Sequence, residues 1–280
     1  MLSSNAAVYS PRTLDDALAL RAAHPDAVPL AGGTDLMVAL EMGAINPDAI
    51  LNLWSVRELA TITGDTESGV RIGALVTYTA LIDDHRVQTV APTLVEASKT
   101  VGARQIQNRG TLAGNVANAS PAGDTLPVLL ALDAEIEVAS AARGHRRIPM
   151  NRLYVGYRTL SMAEDELITA VHLPPLNTSD HHHFRKVGTR LAQSISKVML
   201  GARVRVEKGI VTDARIAFGS VAATPVRVPT VEAALIGQPV NPNVVDLLDQ
   251  DITPIDDVRS SAQYRMAVAK RTLRGFLRSI

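Results

Sequence analysis

The apolar positions along the chain change period several times, and each change marks an element. Thr13-Leu-Asp-Asp16 is a capping box that opens a helix with Leu14, Ala17 and Leu18 on one face, and His24-Pro25-Asp26 stops it. A short apolar strand over 27–30 runs into Ala31-Gly32-Gly33-Thr34-Asp35, after which an apolar helix is predicted over 36–42. Strand, glycine turn and helix in that order aim backbone N–H groups at an anion. Strands follow over 50–53 and 70–75, then a short helix capped by Thr79 and running through Asp84, and a second over 93–99. A helix over 126–132 carries Pro127 in its first turn. Segments 134–138, 146–148 and 167–173 alternate as half-buried strands do. Pro174-Pro175 and the polar run to Asp180 form the clearest boundary. Beyond it, strands over 196–207 and 210–220 flank Lys208-Gly209 as a hairpin, and short helical pieces follow over 231–235 and 244–248. A last helix over 262–277 buries Met266, Ala269, Leu273 and Leu277 and turns Arg265, Lys270, Arg271, Arg274 and Arg278 to solvent. The class is α+β, with two mixed lobes up to about residue 175 and then a hairpin sheet backed by helices.

One stretch obeys neither period. From Gly110 to Asp124 nearly every side chain is tiny or short and polar, and no Lys or Arg occurs between Gly110 and Arg143. Small residues let a backbone approach a ligand closely, and a cation-free loop can hold a phosphate with dipoles. The plainer alternative is a tight turn with Asx-type capping. Composition narrows the chemistry further. The 280 residues carry 28 Lys and Arg against 28 Asp and Glu, a balance that gives no reason to expect a nucleic-acid partner. No cysteine is present, which excludes disulfides, thiolate metal sites, cysteinyl nucleophiles and iron–sulfur clusters ligated by this chain. No apolar run is long enough for membrane insertion and no leader pattern opens the chain, so a cytoplasmic protein is expected.

Ala31-Gly-Gly-Thr-Asp-Leu36, followed by Val101-Gly-Ala-Arg-Gln-Ile-Gln-Asn-Arg-Gly-Thr-Leu-Ala-Gly-Asn115, resembles the FAD-binding medium subunits of molybdenum hydroxylases, the group of carbon monoxide, nicotine and xanthine dehydrogenases. Ala119-Ser-Pro-Ala-Gly-Asp124, Gly156-Tyr-Arg158, Asp165-Glu-Leu-Ile168, Phe184-Arg-Lys-Val-Gly-Thr-Arg190, Gln193-Ser-Ile-Ser196 and Gln263-Tyr-Arg265 extend the likeness over nearly the whole chain. The resemblance implies a two-lobed FAD-binding fold of the vanillyl-alcohol oxidase type over 1–175, with lobes of about 1–55 and 56–175. A small C-terminal α/β domain with an antiparallel sheet would occupy 176–280. It implies non-covalent FAD, with Ala31, Gly32, Gly33, Thr34 and Asp35 around the pyrophosphate and Thr111, Ala113, Gly114 and Asn115 meeting it from the other lobe. Asp124 would bind polar cofactor oxygens, Ile168 and Lys186 would lie beside the flavin, and Val101 would make a further contact. The family usually reads Thr-Ile-Gly-Gly-Asn where this chain has Thr111-Leu-Ala-Gly-Asn115, so Ala113 must tolerate its backbone angles and could crowd the pyrophosphate.

The resemblance also assigns the partners: a small subunit with the iron–sulfur clusters and a large molybdopterin subunit, together a heterotrimer. The chain would take electrons from the clusters and pass them to an outside acceptor, which the sequence leaves open among NAD, oxygen and a quinone. No catalytic or metal residue is expected on this chain. Two alternatives stand beside this: a self-sufficient flavin oxidoreductase of the same fold, and a cofactor-free interaction module. Lys186 is read as tuning the reduced flavin, or otherwise as a surface lysine. Asp124 and Asp35 are candidate helix caps, and His181-His182-His183 is expected in a polar loop without metal. Trp54 and Tyr157 are read as packing residues, Tyr157 with the flavin as its alternative.

Overall fold

The computed structural model describes residues 6–280. A small parallel sheet comes first, built from β1 (Ala7–Tyr9), β2 (Val28–Leu30) and β3 (Ala49–Asn52) in the order β1-β3-β2. Helix α1 (Leu14–Ala23) connects β1 to β2, with Thr13 Oγ1 accepting from the Asp16 amide as the capping box requires. Helix α2 (Leu36–Glu41) connects β2 to β3. A five-stranded antiparallel sheet follows in the order β4-β5-β10-β6-β7, made of β4 (Ile62–Asp65), β5 (Gly69–Gly73), β6 (Glu135–Ser140), β7 (Gly144–Pro149) and β10 (Leu167–Leu173). Between β5 and β6 run α3 (Tyr78–Asp83), α4 (His85–Val90), α5 (Pro92–Lys99), α6 (Arg104–Gln107), α7 (Leu112–Asn118) and α8 (Leu126–Ala131). A two-stranded ribbon, β8 (Tyr154–Gly156) and β9 (Thr159–Leu160), precedes β10. The cap of α3 is Thr77 rather than Thr79, because Thr77 has the extended backbone that lets its hydroxyl reach the Ala80 amide.

The second antiparallel sheet is β11 (Asp180–Val187), β12 (Val198–Glu207), β13 (Ile210–Gly219) and β14 (Val226–Arg227), covered by α9 (Pro229–Leu235), a 3-10 segment Pro242–Gln250 and α10 (Ala262–Leu277). Lys208 and Gly209 both have positive φ, 51° and 79°, the requirement of a two-residue hairpin turn whose twist matches the strands. The histidine tract lies in β11, not in a loop: His182 faces Arg203 across the ladder, and the His183 ring stacks on Phe276 with centroids 5.0 Å apart. Pairing of the whole of β11 with β12 supplies the backbone partners that a local reading of polar residues does not anticipate.

Helix α8 joins the two halves. All six of its residues are buried, as a helix that is apolar all round must be. One side packs into the core under the five-stranded sheet, and the other lies on β12 and β13. Gly201 permits that approach, since a Cβ there would stand 2.7 Å from the Pro127 carbonyl oxygen. Beside it, Asp133 accepts from Arg203, Arg215 and Arg227 at 3.3, 2.7 and 3.0 Å, tying the end of α8 to the second sheet. The basic face of α10 is not uniformly solvated: Arg265 is buried, bonded to the Lys197 and Ser220 carbonyl oxygens and to Asp257. No helix among the described residues is long and apolar enough to cross a membrane.

Candidate functional site

The Gly-Gly turn and the small-residue stretch, nearly eighty positions apart in sequence, are in direct contact. A Cβ on Gly32 would fall 1.8 Å from the Arg109 carbonyl oxygen, and one on Gly110 would stand 3.3 Å from Thr34 Oγ1. Gly33 has φ +80°, a conformation that L side chains rarely adopt. Arg109 adds a second link between the lobes, its guanidinium 3.9 Å above the half-buried Trp54 ring.

The stretch from Gly110 to Asp124 is not a loop throughout. Thr111 caps α7 by accepting from the Gly114 amide at 2.9 Å, and Ala119 ends the helix in the left-handed conformation at φ 50°. Gly114 is small for a reason, since a Cβ there would crowd the capping hydroxyl at 2.9 Å. Ala113 lies inside this helix, with Leu112 and Val116 on its buried face, and needs no glycine angle.

These segments line one cleft of about 1380 Å³. Ala31, Gly32, Gly33, Thr34, Asp35, Val101, Thr111, Ala113, Gly114, Asn115, Asp124 and Ile168 are all on its wall. Pockets that enclose a drug-sized ligand span roughly 300–1,000 Å³, so this one suits a larger, extended molecule. Lys186 is not on the wall. It sits behind Asp124, its ammonium 2.6 Å from Asp124 Oδ2 and 3.1 Å from the Thr100 carbonyl oxygen. Burial pushes the Asp124 carboxyl up to about 6, against the lowering effect of Lys186. Neither acid serves as a helix cap: Asp124 is committed to Lys186, and Asp35 makes no capping bond because its backbone is already helical.

Four wall residues carry chemistry outside the two small-residue segments. Tyr78 lines the cleft with a buried phenolic oxygen that has no hydrogen-bond partner among the described residues. Arg158 reaches the cleft from the β8–β9 turn and donates to Asn118 Oδ1 at 3.0 Å, supplying a cation that the small-residue stretch lacks. Its neighbour Tyr157 is exposed at the cleft instead of packed in a core. Arg265 holds Ser220, another wall residue, in place through its carbonyl. The Arg158 and Arg265 motifs were visible as part of the resemblance, but Tyr78 had no signal. Among the described residues no group of His, Asp or Glu is arranged to hold a metal ion.

An extended dinucleotide fits this wall. The glycine contact at Gly32 leaves no room for a side chain, the orphaned Tyr78 hydroxyl needs an acceptor, and Arg158 favours an anion. Residues 4–176 match the FAD binding domain in molybdopterin dehydrogenase, and residues 182–280 match the CO dehydrogenase flavoprotein C-terminal domain. The chain is 32% identical over 268 residues to the xanthine dehydrogenase FAD-binding subunit of Escherichia coli O157:H7, covering 93% of this chain and 91% of that one. It is 30% identical to the nicotine 6-hydroxylase medium subunit of Paenarthrobacter nicotinovorans, covering 95% and 93%. Its structure is similar to a chain of the Hydrogenophaga pseudoflava carbon monoxide dehydrogenase that lacks the Mo-pyranopterin moiety, with a TM-score of 0.92 and 25% identity over 98% of this chain and 96% of that chain.

Proposed function

This chain belongs to the FAD-binding medium subunits of the molybdenum hydroxylases, and from that premise we propose that it is the electron-transfer subunit of such a complex. It would receive electrons from iron–sulfur clusters on a small partner subunit, supplied by a large molybdopterin subunit, and deliver them to an external acceptor in the cytoplasm. The observation that carries the reading is the contact of Gly32 with Arg109, which makes one continuous cleft wall from the two motifs. The absence of cysteine agrees with it, since the clusters then have to be held by another chain.

Bound FAD supplies a carrier that accepts two electrons and can release them singly. The residues of this chain bind, orient and tune. Ala31, Gly32, Gly33, Thr34 and Asp35 would meet the diphosphate from the first lobe, and Thr111, Ala113, Gly114 and Asn115 from the second. Asp124 would accept from cofactor hydroxyls, with Lys186 setting its charge from behind and so acting on the cofactor indirectly. Val101 and Ile168 would give apolar cover to the flavin. No nucleophile or general base is required of these residues, since the flavin itself carries the redox chemistry.

The test is reconstitution. The purified chain should take up one FAD and show a flavin spectrum. Its flavin band should bleach with substrate only when both partner subunits are present. A chain that fails to bind FAD, or one that bleaches on its own with a hydroxylase substrate, overturns the proposal.

A further inference from the structure

Two tyrosine hydroxyls are buried in the second lobe, and only one is satisfied. Tyr154 donates to the Val116 carbonyl oxygen at 3.1 Å. Tyr78 is 2% exposed, lines the cleft, and has no partner for its hydroxyl among the described residues. Thr125 Oγ1 is a polar neighbour of this hydroxyl, but no hydrogen bond of normal length and angle joins the two, and Thr125 gives its own proton to Asn115 Oδ1 at 2.8 Å. Buried polar groups in native proteins are almost always paired, so an orphan at a cleft wall marks the place of a missing acceptor.

The position of the phenol says which part of a ligand it meets. Tyr78 is the first residue of α3, and its amide donates to the Gly110 carbonyl oxygen at 3.0 Å. A Cβ on Gly110 would stand 3.3 Å from both the Tyr78 ring and Thr34 Oγ1, so the ring is held where the two glycine-bearing segments meet. Burial, with the nearby carboxylates of Asp124 and Asp35, keeps the phenol protonated at any physiological pH. What stands there is a neutral, pre-positioned donor without an acceptor. Beside two carboxylates such a donor can serve an anionic oxygen without placing another fixed charge in the wall.

We propose that the Tyr78 hydroxyl donates a hydrogen bond to a diphosphate oxygen of the FAD held between the two loops. This rests on the FAD reading above. The Tyr78→Phe substitution removes one oxygen and nothing else. Full-length wild-type and Y78F chains should be titrated with FAD, ADP and riboflavin, and the ligand-free proteins unfolded thermally. Y78F should bind FAD and ADP about tenfold more weakly or worse. Riboflavin, which has no phosphate, should bind both within about twofold. The ligand-free variant should melt at the same temperature or higher, because it loses an unpaired buried group. Equal FAD affinity in the two chains overturns the proposal, as does a riboflavin loss that matches the ADP loss. A lower melting point of ligand-free Y78F also overturns it, since the hydroxyl would then have a structural partner. Failure of the wild type to bind FAD would instead overturn the parent reading, and the two failures are distinguishable. If Y78F does not fold, 3-fluorotyrosine at position 78 keeps the shape. Its fluorine resonance should shift with ADP and not with riboflavin, and the reverse pattern counts against the proposal.

Discussion

Gly32 lies so close to the carbonyl oxygen of Arg109 that a Cβ built on it would be 1.8 Å away. The obstructing atom belongs to the backbone and cannot swing aside, so Gly32→Ala must separate the two loops. FAD affinity should drop at least tenfold, and stability should fall by about 1–3 kcal/mol, the usual cost of overpacking. Gly275→Ala is the control. Gly275 lies within α10 with nothing inside 4 Å of an added Cβ, so alanine there should stabilise by roughly 0.5–1 kcal/mol. Urea unfolding and FAD titration of both variants check the pair.

That contact also shows how far the sequence could be read. The Gly-Gly turn and the 110–124 stretch were visible as chemistry because unusual composition is a local property. The period of the apolar residues placed α1, α5, α8 and the β12–β13 hairpin for the same reason. Helix α7 was hidden because its small residues form no apolar stripe, and burial of Leu112 and Val116 stabilises it instead. Strand β11 was hidden because its histidines gain their partners from β12, and the partial burial of His182 opposite Arg203 is decided far away in sequence. The pairing of Lys186 with Asp124 was not legible either, since it depends on the segments of Thr100, Asp124 and Lys186 meeting. The burial of Arg265 follows likewise from the Lys197, Ser220 and Asp257 contacts.

The Asp124–Lys186 pair gives the ligand-free protein a definite pH response. Burial raises the folded Asp124 pKa to about 6, above its value in an unfolded chain, so the folded state holds the proton more tightly. The contribution of Asp124 to stability is therefore full below the unfolded value, near about 4, and is lost as pH rises through about 6. Lys186→Met removes the group that opposes this shift. The loss should then extend to higher pH, and at neutral pH the variant should be less stable by about 3 kcal/mol. Asp124→Asn should flatten the profile between the two pKa values. Urea unfolding across that range, without FAD, measures all three proteins.

Asp133 should act as an electrostatic latch between the halves. It follows α8 with φ 51° and accepts from three arginines of the second sheet. Asp133→Asn is the informative change because asparagine tolerates the same left-handed backbone. Asp133 is 39% exposed, so solvent screens part of the interaction. The expected loss is about 1 kcal/mol, and it should shrink at high salt. A loss independent of salt would mean that packing of α8 on Gly201, and not charge, holds the halves together.

Ala113 stands where the Thr-Ile-Gly-Gly-Asn pattern has its first glycine, and its place in α7 sets the consequence of restoring glycine. Its φ is not positive, its methyl is buried with Leu112 and Val116, and Thr111 caps the same turn. Glycine would therefore bring conformational freedom that the folded state does not use. Ala113→Gly should lower stability by about 1 kcal/mol through helix propensity alone. If the methyl does not touch the diphosphate, FAD affinity should stay within about twofold of wild type. An affinity gain of tenfold would show instead that the methyl crowds the cofactor, and that this chain holds FAD more loosely than a relative with two glycines. Parallel FAD titrations of wild type and A113G, with melting points of the ligand-free proteins, separate the helical cost from the contact.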